Sequence, residues 1–261
     1  MSSDVIIAAR GAAESVRGLQ IDNLAPRAGR LTSAGAYAIR HVACTDTRHS
    51  ASRLLNRMYA RRGYASAGLG SAALPHSITL SAGEGTATVG TLSVGFDAPG
   101  GLLVDQCFPE ETARLRAQGR QLCEFKKLAV DSGLHSKQVL ASLFHVAYVA
   151  AHRLRGCDNV LIEINPRHVG YYRRMLGFEV LGGERLNPRV DAPALLLSLD
   201  LAHAEQQIAR LGGQPERASQ ERSLYPWFFA ATEEHGIASR LHAATGHAAP
   251  PRQPPAAPLL M

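Results

Sequence analysis

The sequence predicts an α/β protein: a mixed sheet flanked by helices, with extra helices at the C-terminal end. Three observations carry this. "SITLSA" (77–82) and "TATVGTLSVGF" (86–96) enclose Gly-Glu-Gly, the pattern of an antiparallel hairpin. The apolar runs "LCEFKKLAV" (122–130) and "NVLIEIN" (159–165) are joined by a helical stretch, which makes one right-handed parallel strand–helix–strand unit. Beyond residue 202 the strand pattern stops and helical periodicity takes over.

The elements follow in order. "AYAIRHV" (36–42) reads as a strand, and "SASRLLNRMYARRGY" (50–64) as a helix with Leu54, Leu55, Met58 and Tyr59 on one face. The hairpin comes next. "PEETARLRAQG" (109–119) is a short helix, opened by Pro109 and two acids and closed by Gly119. The strand 122–130 follows. A helix from about 136 to 155 sets Leu140, Leu143, Phe144, Ala147, Ala151 and Leu154 in one apolar stripe, and Gly156 ends it. After the strand 159–165, "RHVGYYRRML" is a helix, and "GFEVLGG" and "PALLLSLDL" are strands. "LAHAEQQIARL", "SLYPWFF" and "ATEEHGIASRLHAA" make a largely helical tail. The expected divisions are a loosely ordered lead-in over 1–33, a core over 34–202, a helical extension over 203–246 and a disordered Pro/Ala-rich tail over 247–261.

Composition narrows the class. Of 261 residues, 46% are hydrophobic and 19% charged, as in ordinary soluble domains. No apolar run reaches membrane-spanning length and the N-terminus lacks a secretory pattern, so a cytoplasmic location is expected. Cys44, Cys107, Cys123 and Cys157 form no CxxC pair, and no histidine pair stands at ligand spacing, so neither a disulfide frame nor a metal site is expected. The net charge of +6 suits an acidic partner. Nucleic acid is disfavoured because no run of five Lys/Arg and no basic–aromatic stripe occurs.

The order of elements resembles the Gcn5-type acyltransferase fold, and four stretches narrow the resemblance. "VGTLSVGFDAPGGLLVDQCFPEETARLRAQGRQLCEFKKLAVD" (89–131), "INPRHVGYYRRMLGFEVLG" (164–182), "APALLLSLDL" (192–201) and "RSLYPWFF" (222–229) are together similar to the N-acyl amino acid synthase family, which is related to acyl-homoserine-lactone synthases. The resemblance implies a Gcn5-related mixed sheet and transfer of a long-chain fatty acyl group to the amine of an amino acid. The donor is decided by a turn. Acetyl-CoA enzymes place glycines where the strand 122–130 meets its helix, so that a pyrophosphate can touch backbone N–H groups. Here Gln138 and Leu140 stand in those places. A phosphopantetheine thioester, which has no adenosine diphosphate, fits such a turn. The implied partner is therefore an acyl-carrier protein, with no resident cofactor and no metal. Lys126, Lys137, Arg153 and Arg155 are the expected docking cations.

Site residues follow from the chemistry and the resemblance together. An ammonium cannot attack a thioester, so a base is needed, and Glu124 inside an apolar strand is the candidate. The alternative is an ion-paired structural acid. Lactone synthases show Glu-x-x-Arg here and this chain has Glu-x-x-Lys. Lys127 falls on the face opposite Glu124 in an ideal strand, unless a bulge intervenes. Tyr172 is the candidate acid for the leaving thiolate, with a core tyrosine as the alternative. Asn165, Arg167 and His168 fit a loop at the C-terminal end of a parallel strand, where Arg167 would meet the acceptor's carboxylate. Lys127 and Asp105 complete the expected substrate-binding set. The tail helices read as a packing clasp in preference to a lid, and any membrane contact would be a weak one, through them or the product.

Overall fold

The computed structural model of the chain describes residues 5–9, 37–64, 68–70, 76–84, 87–132 and 136–245. Its strands are β1 (Val5–Ala9), β2 (Tyr37–His41), β3 (Ser77–Glu84), β4 (Ala87–Phe96), β5 (Leu122–Val130), β6 (Asn159–Ile164), β7 (Glu179–Asn187) and β8 (Ala192–Asp200). They form one sheet in the order β1-β2-β3-β4-β5-β6-β8-β7. The pair β5–β6 is parallel and the other neighbours are antiparallel. The helices are α1 (Thr45–Ala60), α2 (Pro109–Ala117), α3 (Ser136–Tyr148), α4 (Val169–Leu176), α5 (Leu201–Leu211) and α6 (Glu234–Thr245).

The two faces of the sheet differ in kind. Alternation sends Ile78, Leu80, Leu92, Val94, Cys123, Phe125, Val160 and Ile162 to one face, where α3, α4, α5 and α6 cover them in the main core. The other face carries Thr79, Ser93, Glu124 and Lys126 beside smaller apolar groups. Leu54 and Leu55 of α1 pack on Ala129, and Leu102, Val104 and Phe108 pack on Leu122, Leu161 and Leu196. The apolar face anchors the fold and the mixed face holds the polar groups that chemistry needs.

Several elements depart from the sequence reading. β1 lies inside the stretch expected to be a loose lead-in; a five-residue apolar run becomes a strand because β2 offers a partner edge. The remainder of 1–33 and the tail 247–261 lie outside the described residues. α1 begins at Thr45, five residues before the expected start, because its N-cap Cys44 makes no side-chain capping bond and so leaves no signal. The helix expected over 136–155 is α-helical to Tyr148 and continues as a π-turn over Val149–Leu154. β7 runs on to Asn187, where its polar residues hide a strand that pairing with β8 creates.

The tail is a clasp, and His145 of α3 is its centre. The ring is fully buried, stacked on Phe228 and Phe229 at 5.0 and 5.5 Å. Its Nδ1 accepts the Phe229 N–H at 2.9 Å, so the proton resides on Nε2, which donates to Glu234 at 3.2 Å. Glu234 also accepts from Arg153. The Tyr225 hydroxyl donates to the Leu176 carbonyl, tying the same segment to α4. Burial holds the His145 pKa below its ordinary value despite the nearby acid, while Glu234 is held down by His145 and Arg153 against its own burial.

Both shifts have the same sign for stability. Each group binds its proton less readily folded than unfolded, so stability falls as the pH drops, first through the ordinary histidine range near about 6.5 and then through the carboxylate range. The thermal midpoint, followed by circular dichroism, is expected to fall between pH 7.5 and 5.5. Glu234→Gln leaves Arg153 underpaired and is expected to cost roughly 3 kcal/mol at neutral pH.

Candidate active site

β5 is bonded to its two neighbours unequally. It pairs with β4 from Cys123 to Val130, but with β6 only from Leu122 to Glu124. Beyond Glu124 the two parallel strands part, and the β6-facing edge of β5 has no strand partner. Backbone N–H groups on that edge are available to an oxygen of a bound ligand.

A bulge lies on the same segment. Ser93 of β4 stands opposite Lys126 and Thr91 opposite Ala129, so two steps on β4 meet three on β5. Lys127 absorbs the mismatch with φ of +54°, a left-handed conformation that a lysine adopts only when its surroundings impose it. The bulge turns Lys127 towards the face of Lys126, where an ideal strand would have sent it to the other side. Both lysines line a shallow cleft that opens to solvent, with Arg48, Ser77, Thr79 and Ser93 among the other walls.

Glu124 stands behind this cleft and is 1% exposed. One carboxylate oxygen pairs with Lys126 and the other accepts the Val104 N–H at 3.1 Å. Gly95 leaves the space for this pair: a Cβ there would stand 2.8 Å from both the Glu124 Oε1 and the Lys126 Nζ. The loop that supplies Val104 is pinned by Arg116, whose guanidinium grips Asp97 at 2.7 and 2.9 Å and Asp105 at 2.8 and 3.1 Å. A second acid, the half-buried Glu163 on β6, lies just past the point of parting and is bonded by Arg189 and Asn187. Burial raises its pKa, and the Glu124 charge adds to the effect.

The expected site residues fall into separate groups. Glu124, Lys126 and Lys127 come together. Asp105 does not line the cleft: it caps the Leu102 N–H at 2.7 Å and pairs with Arg116, which overcome its burial to hold its carboxyl below the usual value. Asn165 accepts the Arg167 N–H and opens a short 3-10 turn, Arg167 donates to His168, and none of the three lines the cleft. Tyr172 packs against the main core, edge-on to Phe144 and Phe178 at 6.5 and 5.8 Å, and burial lifts its hydroxyl pKa well above the ordinary tyrosine value.

The docking cations need correction. Lys126 is committed to Glu124, Arg153 to Glu205 and Glu234, and Arg155 lies 4.7 Å over the Phe96 ring. Lys137 is exposed on the first turn of α3 and sits 5.5 Å over Trp227. Sequence reasoning missed Arg48, which is 8% exposed. Its signal is its place three residues before Ala51 and seven before Leu55 on the buried stripe of α1, legible only once the helix is known to start at Thr45.

The sequence model of the N-acyl amino acid synthase FeeM family matches residues 50–200, more than half the chain. The chain belongs to that family. Among solved structures it is similar to FeeM, an N-acyl amino acid synthase from uncultured soil microbes, at 27% identity and a TM-score of 0.58, covering 65% of this chain and 93% of that one. It is also similar to an acyl-CoA N-acyltransferase from Pseudomonas aeruginosa, at 14% identity and a TM-score of 0.44 over 62% and 97% of the two chains. A CoA-dependent acyl-homoserine lactone synthase, BjaI, follows at 17% identity and a TM-score of 0.42 over 58% and 74%. No curated protein matches in sequence. The sheet and its flanking helices are an acyltransferase fold, and N-acyl transfer is the chemistry of the synthase family.

Two substitutions test the arrangement. Gly95→Ala drives a methyl into the Glu124–Lys126 pair and is expected to cost roughly 1–3 kcal/mol by chemical denaturation, with a larger loss of acylation. Tyr172→Phe keeps the ring between Phe144 and Phe178, and turnover within about twofold of the parent is expected from a core-packing residue.

Proposed function

We propose that the protein moves a long-chain fatty acyl group from an acyl-carrier protein to the amine of an amino acid. The observation that carries this reading is the parting of β5 from β6 beside a cleft holding a buried acid–lysine pair. A thioester reaching into the gap would set its carbonyl oxygen against the unpartnered edge of β5, which stabilises the oxyanion as it forms. The acceptor amine would enter from the cleft.

The proton has a route. Lys126, bonded to Glu124, transfers its own proton to that carboxylate and takes one from the substrate ammonium. The net result is a free amine, a charged Lys126 and a protonated Glu124. The amine then forms the C–N bond, the C–S bond breaks, and the second amine proton leaves with the thiolate as a thiol. No redox step is required.

The donor reading rests on two features. The start of α3 presents Gln138 and Leu140 where the acetyl-CoA enzymes place glycines. The surface at the ends of α1 and β6 is also basic. Arg61 and Arg62 after α1 and Arg167 just past β6 are exposed, and none has a carboxylate partner among the described residues. Arg167 reaches the Tyr64 hydroxyl at 3.4 Å, joining the two segments. Burial, Arg62 and Arg167 keep the His168 pKa low. Such a rim, with the exposed Lys137, suits an acidic carrier domain. Among the described residues no helix is long and apolar enough to cross a membrane.

Turnover with matched acyl-carrier protein and acyl-CoA tests the donor: kcat/KM is expected to favour the carrier protein and to fall steeply with salt, and equal values would refute it. Charge reversal at Arg61 and Arg62 is expected to raise the KM for the carrier protein alone. Glu124→Gln and Lys126→Met each are expected to lower kcat by about 100-fold or more, with the double variant no worse than either. Near-normal kcat in Glu124→Gln would remove the relay.

A further inference from the structure

We infer that the cleft between α1 and the bulge of β5 is an anion site that holds the acceptor's α-carboxylate, with Arg48 and Lys127 as its two ligands. The inference rests on the reading of the protein as an amino acid acyltransferase and extends it by assigning the subsite that separates an amino acid from a simple amine.

The cleft contains more positive charge than its own acids neutralise. Arg48 is 8% exposed, yet its guanidinium makes one long bond, to the Val42 carbonyl at 3.5 Å, and has no carboxylate partner among the described residues. Lys127 donates to the Gly68 carbonyl at 3.0 Å and likewise has no carboxylate partner among them. A cation taken out of water without a counter-ion is costly, and an arginine that keeps this state in a solvent-connected cleft is complementary to an anion that enters it. The strain at Lys127 points the same way, since the fold holds its backbone in a left-handed conformation and the result is an ammonium facing Arg48. Their mutual repulsion, with that of Lys126, adds to burial in lowering the Lys127 pKa, and a bound anion would relieve it.

The rest of the wall fits a carboxylate. The Thr79 and Ser93 hydroxyls bond each other at 2.8 Å and both face the cleft, so one retains a donor or acceptor for a ligand. Lys126 lines the same cleft but is already paired with Glu124. Carboxylate and amine of an α-amino acid are separated by a single carbon. A carboxylate on Arg48 and Lys127 therefore brings the amine to Lys126 and the relay behind it. A donor phosphate would also suit two cations, and the experiment separates the two sources.

Arg48→Gln, Arg48→Lys and Lys127→Met are compared with the parent, using an acyl-carrier protein donor and three acceptor pairs: phenylalanine and phenethylamine, leucine and isopentylamine, tyrosine and tyramine. The parent is expected to prefer the amino acid in each productive pair. Arg48→Gln and Lys127→Met are expected to lower kcat/KM for the amino acid by at least about tenfold while leaving the amine unchanged, with partial recovery in Arg48→Lys. An equal loss for acid and amine, or a raised KM for the carrier protein with acceptor preference unchanged, overturns the assignment; the second outcome gives the cations to the donor's phosphate. Thermal shifts with the same six compounds need no turnover. Stabilisation of the parent by an amino acid and not by its amine, abolished in Lys127→Met, supports the site even if no acylation occurs, in which case the acyltransfer reading fails alone. Acylation of both acceptors at equal rates sinks the carboxylate site and leaves the acyltransferase.

Discussion

The unequal pairing of β5 is the constraint on which the rest depends. A strand bonded to β4 almost throughout and to β6 over three residues must leave backbone groups without a strand partner. Buried backbone polar groups normally find partners, so an edge inside a sheet is tolerated where a ligand completes it. The same strand contains the bulge that brings Lys126 and Lys127 to one cleft. Parting and bulge together turn a core strand into a site with an oxygen-binding edge on one side and charged side chains on the other.

Glu124 connects this strand to the layer above it. Its carboxylate is held by Lys126 and by the Val104 N–H, and Val104 sits in a loop closed by Arg116 on Asp97 and Asp105. The glycines of this region act by absence. Gly95 leaves room for the acid–lysine pair, and Gly101, at φ of +73°, lets the Asp105 carboxylate approach where a Cβ would stand 2.5 Å away. Asp105 is therefore one step removed from chemistry: it shapes the loop that helps to seat Glu124.

Opposite charges are divided in space. At the clasp, the Arg153 cation and the neutral His145 are both satisfied by Glu234, so these groups act in folding. At the cleft and on the basic surface, Arg48, Lys127, Arg61, Arg62 and Arg167 have no carboxylate partners among the described residues. The cations of the chain thus include a neutralised set under the tail and an uncompensated set beside the cleft and at the ends of α1 and β6. Composition alone does not make that division, because it depends on which acids each cation meets.

Much of the architecture was legible in the sequence. Alternating and 3.6-residue periodicities placed the hairpin, β5, β6, β8 and the stripe of α3, because burial of apolar side chains on a regular backbone repeats with the backbone. Glu124 was legible too, as a charge inside an apolar run. What tertiary structure alone decided is where polar groups point and whom they meet. β1 exists because β2 offers it an edge, and Lys127 faces the cleft because one extra residue in β5 must be absorbed. Arg153 serves the clasp because the tail returns over α3, and Arg48 is buried because α1, starting at Thr45, sets it on the same face as Ala51 and Leu55. Hydrophobic burial is roughly additive along a chain and leaves a periodic trace; ion pairs, bulges and strand partings depend on residues far apart in sequence and leave none.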